Sequence, residues 1–205
     1  DQPRSRGLGD VYKRQVEGVQ LSRSPRISRP VGWGAGIVAL GVGTAAVAGG
    51  LWGLTRPGYT ATVEDGGTRI DPALNADNIE FVSFVGFTAL TGLLGLLIGL
   101  TAFATGGKRA GVGRMVVAVV VAAFSAWTLY ILGTWSAELY HGVPDPHELT
   151  DGQTVTFVPV LHPGPAWLAG PFVAALSYWV GIVASAGSGP EPESAEYDER
   201  HAHSD

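Results

Sequence analysis

The stretch FVSFVGFTALTGLLGLLIGLTAFAT, residues 81–105, contains no Asp, Glu, Lys, Arg or His, and it decides the fold class. Three further stretches share this property, namely residues 31–54, 115–137 and 166–186. An α-helix rises about 1.5 Å per residue and the hydrocarbon core of a bilayer is about 30 Å thick, so each stretch is long enough to span a membrane. The sequence therefore predicts an all-α membrane protein with four transmembrane helices.

The composition agrees with this class. Only 15% of the residues are charged and 46% are hydrophobic, whereas soluble domains carry about 25% charged residues. The formal net charge of -5 arises from two opposite ends, a basic one before the first stretch and an acidic one after the last. It therefore predicts no nucleic-acid partner. The chain has no cysteine, which excludes disulfides and thiol catalysis.

The composition also changes along the chain and predicts six segments. The run SRGLGDVYKRQ near the start resembles translated sequencing-adapter sequence, so we expect the first segment to be an artefact. The six predicted segments are a sequencing artefact at 1–15, a cytoplasmic basic lead-in at 16–30, a first helix-loop-helix repeat at 31–105, a cytoplasmic link at 106–114, a second helix-loop-helix repeat at 115–186, and a disordered acidic tail at 187–205.

The positions of the cations predict the orientation in the membrane. Lys and Arg concentrate in short cytoplasmic loops. Beyond the first fifteen residues, six cations lie before the first stretch or between the second and third: Arg23, Arg26, Arg29, Lys108, Arg109 and Arg114. The two longer loops together contain only Arg56 and Arg69. We therefore expect a plasma-membrane protein with both termini in the cytoplasm and both longer loops outside.

The two longer loops resemble each other. The first contains VEDGGTRI at residues 63–70 and the second contains LTDGQTVT at residues 149–156. This similarity predicts two parallel helix-loop-helix repeats. β-Prone residues flank the first Asp-Gly pair and predict a hairpin there, with a further strand at residues 154–158. Because an isolated hairpin is marginally stable, we expect the loops to form one small external β cap. Its candidate partner surface is Tyr59, Asp65, Gly66, Asp151 and Gly152.

Small residues recur at four-residue spacing within the apolar stretches. Lipid chains provide no hydrophobic drive for helix association, so close backbone approach at small residues is the available source of packing energy. We expect contacts within the bundle, rather than between copies of the chain, at Gly32, Gly36, Gly49, Gly53, Gly95 and Gly99. Ala35, Ala39 and Gly43 continue the stripe in the first stretch.

The sequence carries no nucleotide-binding glycine loop, GxSxG elbow or HExxH motif, so we expect no enzyme and no cofactor. One set of residues has metal-ligand chemistry: Glu138, His141, Asp145, His147, Glu148, Asp151 and His162. The segment that holds them is rich in proline, and any solvated loop carries such carboxylates. We therefore expect no metal site.

Several scattered positions resemble an actinobacterial four-helix membrane protein family of unknown function. They are GLWGLTRP at residues 50–57, a Gly-containing hairpin, Phe81, a Lys/Arg-Gly turn, Pro171, Ala174 and Tyr178. The resemblance covers residues 31–186 and implies an inner-membrane setting. It implies no activity and no catalytic residues.

Two functional hypotheses remain. The favoured one is a non-enzymatic accessory or scaffold protein of the cell envelope, embedded in the lipid bilayer, that presents its cap to a membrane or envelope protein. The alternative is a small oligomeric transporter or a lipid-handling protein. An ionisable side chain facing the interior of the bundle would favour the alternative. The four apolar stretches contain none.

Overall fold

The computed structural model describes residues 28–64, 67–70, 72–75, 78–106, 111–142 and 150–187. The predicted artefact, most of the basic lead-in and nearly all of the acidic tail lie outside these residues. The chain divides into residues 1–33 and 34–205, and the packing below concerns the second unit. The helices are α1 Arg29–Thr55, α2 Ile79–Ala104, α3 Val112–His141 and α4 Ala169–Ala186, and the strands are β1 Tyr59–Glu64, β2 Gly67–Ile70 and β3 Thr154–Phe157.

The prediction of four long apolar helices is confirmed. Four segments are long and apolar enough to cross a membrane: Arg29–Thr55, Ile79–Ala104, Val112–His141 and Gly164–Ala186. The last of them begins with a short 3-10 helix, Gly164–Leu168, that leads into α4. The apolar stretches predict the ends well, except that α3 continues one turn further to His141. It stops there because Gly142 adopts a positive φ of 76°.

Two helix pairs cross at glycines. A Cβ placed on Gly49 of α1 would lie 2.6 Å from the Leu129 carbonyl oxygen of α3, and Gly53 meets the backbone of Gly133 one turn further along. In the second pair, Gly95 and Gly99 of α2 face the backbones of Gly170 and Ala174 of α4. No side chain fits between these backbones, so glycine sets the distance between the helices.

The sequence assigns the wrong residues to the crossing in the first half of α1. A Cβ at Gly36 or at Gly43 would meet nothing within 4 Å, and Gly32, Ala35 and Ala39 are exposed. The buried face of α1 consists of Ile37, Gly41, Ala45, Gly49 and Gly53. Gly36 is one residue out of step with this series, and one residue of a helix turns the side chain by about 100°.

An aromatic cluster lies near the end of the bundle where α1 and α3 finish. Phe87 of α2 is fully buried at its centre. Its ring lies 6.1 Å from that of Trp52 in α1, 6.2 Å from that of Tyr130 in α3 and 5.4 Å from that of Trp167 in the 3-10 helix. Each membrane-length segment therefore contributes one ring. The pairs of Phe87 with Tyr130 and Trp167 are edge-to-face, a geometry that stabilises beyond simple contact.

The two long loops form one three-stranded sheet, as predicted, with strand order β2-β1-β3. Both pairings are antiparallel: Glu64 pairs with Gly67 in the hairpin, and Thr62 pairs with Thr154 across the two loops. Gly152, at φ 86°, donates its backbone N–H to the Val63 carbonyl at 2.8 Å and so extends the second pairing. Among the described residues, the first loop contributes the hairpin β1-β2 and the second contributes β3. The repeat stays a prediction.

Candidate functional site

Arg56 is the first residue after α1, and its neighbours explain its position. Proline disfavours helical conformation in the residue before it, so Pro57 ends the helix at Thr55 and directs Arg56 out of it. The guanidinium carbon lies 5.2 Å from the centre of the Trp52 ring, one helical turn back. This places a cation on an aromatic face at the end of the bundle.

The Arg56 side chain is buried, with only 3% of its surface exposed. Its Nη2 atom donates to the Pro159 carbonyl at 2.8 Å, whereas its Nε atom has no hydrogen-bond partner among the described residues. The one ion pair within 4 Å in that part of the chain joins Arg69 to Glu64. Arg56 therefore contacts a carbonyl and a ring, and no described carboxylate lies within 4 Å of it.

Burial lowers the pKa of Arg56 from the ordinary arginine value. Electrostatic interactions with Tyr130 and with the Glu138 carboxylate oppose this shift, because both favour the charged form of the guanidinium. The ordinary arginine pKa is so high that the side chain stays charged at neutral pH. The end of the bundle therefore holds a permanent buried cation.

A cavity of about 250 Å³ lies beside this cation. Its lining residues come from α1's end, the start of α2 and the segment after β3: Arg56, Glu80, Phe81, Ser83, Phe84, Pro159, Val160, Leu161 and His162. Ser83 is 2% exposed, and its hydroxyl also has no hydrogen-bond partner among the described residues. Arg56 and Ser83 both line the cavity, and their Nε and Oγ atoms are two of the four buried side-chain atoms without a hydrogen-bond partner among the described residues.

The segment that closes the cavity is fixed at two points. Arg56 binds the Pro159 carbonyl, and the Tyr130 hydroxyl donates to the Leu161 carbonyl at 3.2 Å. His141, at the end of α3, places Nε2 3.2 Å from the Arg56 carbonyl oxygen. The ends of α1 and α3 and the segment after β3 are therefore tied together around Arg56. Arg56 and Ser83 offer an anion a guanidinium and a hydroxyl, whereas the Glu80 carboxylate lines the same cavity and disfavours an anion close to it.

The predicted partner surface is divided by the structure. Tyr59 is half-buried and pairs across the sheet with Phe157, with ring centres 6.0 Å apart. Asp151 and Gly152 are exposed in the turn that binds Val63. Asp65 and Gly66 lie outside the described residues. The structure gives Gly152 a role within the fold, since its positive φ and its N–H join the turn to β1.

The structure describes only some of the residues weighed as metal ligands. His141 contacts the Arg56 backbone, whereas His162 lines the cavity. Asp145, His147 and Glu148 lie outside the described residues. Within the described ranges, no group of three or more His, Cys, Asp or Glu side chains is placed to hold a metal ion.

Sequence reasoning missed Arg56 as a site residue and counted it only as a loop cation. Its main partner, Pro159, is 103 residues away, so their contact depends on the complete fold. One local signal was present: Trp52 precedes Arg56 by four residues at the end of a helix, which is the spacing that brings two side chains onto one face. Comparison of the chain with protein families, with curated proteins and with solved structures finds no match.

Proposed function

We propose that this protein is a multi-pass membrane protein of the lipid-handling class, which binds the anionic headgroup of a membrane lipid at Arg56. The observation that carries the proposal is a buried guanidinium that lines a cavity and makes no ion pair among the described residues. The sequence favoured a scaffold because the four spans have no ionisable side chain. Arg56 follows the first span directly, and its burial supplies the group that the alternative requires.

The buried charge of Arg56 has a desolvation cost. Removing an ion from water costs several kcal/mol even after the protein relaxes. A ring face returns about 0.5–2 kcal/mol and a hydrogen bond to a charged group about 1.5–3 kcal/mol. Arg56 has one contact of each kind, and the Glu138 carboxylate adds an attraction from beyond 4 Å. An anion in the cavity would add further charge-assisted hydrogen bonds and offset the remaining cost, so the site favours an anionic ligand.

We expect Arg56→Gln to lower the retention of anionic lipid about 10- to 100-fold, the effect of losing a charge-assisted hydrogen bond of about 1.5–3 kcal/mol. Native mass spectrometry of the protein purified in mild detergent measures the retained lipid. Arg69→Gln is the matched control, because Arg69 belongs to the neighbouring sheet but is exposed and paired with Glu64. Equal retention by wild type and Arg56→Gln would refute the proposal.

The proposal places the protein in the plasma membrane with both termini in the cytoplasm and the sheet outside. Gln153 is exposed next to β3, and the chain has no natural cysteine. Cysteines introduced singly at Gln153, Ser24 and Ser188 can therefore be labelled with a membrane-impermeant thiol reagent in intact spheroplasts. We expect labelling at Gln153 alone. Labelling at Ser24 or Ser188 would reverse the orientation.

The scaffold hypothesis is the second candidate, and the edge of the sheet favours it. All four residues of β2 are exposed, and its outer side pairs with no strand in the described part of the chain. Such an edge can accept a strand from another protein. We expect Ile70→Lys to reduce capture of any protein that co-purifies with the wild type, while Arg69→Gln does not. A partner captured equally by both variants would exclude this edge.

A further inference from the structure

A second, apolar space adjoins the Arg56 cavity. It is a groove of about 370 Å³ between α2 and the start of α4, lined by Phe84, Thr88, Pro165, Ala166, Leu168, Ala169 and Phe172. The Thr88 hydroxyl donates to the Phe84 carbonyl at 2.8 Å, so even the one polar side chain of the groove is satisfied within its own helix. The groove therefore presents only apolar surface to a ligand.

Phe84 joins the two spaces, because it lines both the polar cavity and the apolar groove. At the groove, Leu168 and Phe172 are exposed on the outside of the bundle, and Phe81 is exposed beside the cavity. These rings and branched chains belong to segments of membrane length. A ligand with one polar and one apolar end would thus find both environments side by side and could enter laterally from the bilayer.

From this juxtaposition we infer that the ligand is a glycerophospholipid, with its phosphate at Arg56 and Ser83 and one acyl chain in the groove between α2 and α4. This inference rests on the proposed function and names its ligand. Ligand sites typically have volumes of about 300–1,000 Å³ and mainly apolar walls with a few polar groups that fix orientation. The cavity and the groove have this division between them.

The cavity and the groove make different contributions to lipid binding. A guanidinium matches the geometry of a phosphate and can donate two parallel hydrogen bonds to it. The groove adds less free energy relative to the bilayer than it would relative to water, because lipid tails are as apolar as its walls. Its effect is to require a chain next to the phosphate and to set the direction in which the lipid lies. Selection by headgroup should therefore depend on Arg56, whereas selection for a chain should depend on the groove.

The experiment compares three probes on the detergent-purified protein. Phosphatidylglycerol carries both phosphate and chains, a diacyl glycolipid with the same chains lacks the phosphate, and glycerol 3-phosphate lacks the chains. Native mass spectrometry measures the two lipids, and phosphorus NMR line broadening measures glycerol 3-phosphate. We expect wild type to retain phosphatidylglycerol at least about tenfold better than the glycolipid, as one charge-assisted hydrogen bond would give.

Filling the groove separates this inference from the proposed function. We expect Ala169→Trp and Thr88→Phe to lower phosphatidylglycerol retention at least fivefold while glycerol 3-phosphate binding is unchanged. Leu93→Trp is the control, because Leu93 is exposed on α2 and does not line the groove. Equal thermal midpoints for a groove variant and the control show that the variant is folded, and Thr88→Phe is the milder change should Ala169→Trp fail this check.

The possible outcomes distinguish failure of the acyl-chain site from failure of the headgroup site. Wild-type retention of phosphatidylglycerol by both folded groove variants would overturn the acyl-chain site and leave the headgroup site intact. Retention of the glycolipid as strong as that of phosphatidylglycerol would show that the phosphate is not the group recognised at Arg56. Glycerol 3-phosphate that binds as tightly as the lipid would identify a soluble phosphate as the ligand and overturn the membrane source. If Arg56→Gln bound both phosphatidylglycerol and glycerol 3-phosphate as well as wild type does, the proposed function itself would be refuted.

Discussion

Gly95→Ala is expected to destabilise the bundle by roughly 3 kcal/mol, the upper end of the usual cost of overpacking. The added methyl group would overlap the Gly170 carbonyl oxygen of α4 and lie 2.9 Å from its carbonyl carbon. These are backbone atoms, so no rotamer change relieves the overlap and the helices must separate. Separation would also disturb Gly99, which meets α4 one turn further along. Thermal unfolding in detergent measures the effect.

Gly92→Ala provides the matched control on the same helix. A Cβ there would meet only a Val173 methyl group at 4.0 Å, an ordinary van der Waals contact. Alanine is also favoured over glycine within a helix by about 0.8–1 kcal/mol. We therefore expect Gly92→Ala to be neutral or slightly stabilising. Similar losses of stability in both variants would show that the close crossing with α4 is not what makes Gly95 necessary.

The glycine pattern shows how far spacing alone can identify a contact face. Gly49 and Gly53 differ by four residues and share a face, as do Gly95 and Gly99. Gly36 precedes Gly49 by thirteen residues, which at about 100° per residue places it about 140° away around the helix. Two four-residue pairs in one helix therefore need not face the same neighbour. Continuing the spacing backwards from Gly49 reaches Ala45 and Gly41, which are buried.

The sheet was predictable because its signals are local, whereas the site was not. The Asp-Gly pair at residues 65–66 lies between Glu64 and Gly67, which pair as a two-residue hairpin connection requires. By contrast, Arg56 looks like any loop cation until Pro159 and Ser83 are brought to it by the fold. The role of Trp52 also depends on the fold, because its ring lies 6.1 Å from that of Phe87 and 5.2 Å from the Arg56 guanidinium carbon.

Phe87→Ala is expected to reduce both stability and lipid retention, because Phe87 supports the ring beneath Arg56. Its side chain is fully buried and contacts Trp52, Tyr130 and Trp167. In soluble proteins such a truncation costs about 3–5 kcal/mol, part of which is transfer from water. A membrane protein leaves its unfolded segments in lipid, so the transfer part is smaller and we expect about 2–3 kcal/mol from lost contacts and the cavity.

The same truncation at Phe124 isolates the contribution of position. Phe124 lies on α3 but is exposed, so in a membrane its ring exchanges one apolar neighbour for another and Phe124→Ala should cost less than about 1 kcal/mol. Phe87→Leu restores part of the volume and should recover part of the thermal midpoint. If Phe124→Ala lost as much lipid as Phe87→Ala, the aromatic cluster would have no part in holding Arg56. If Phe87→Ala lost lipid at temperatures where it is still folded, the Trp52 ring would be acting as the support for the cation. The packing of the four segments and the binding of the headgroup would then depend on the same residues.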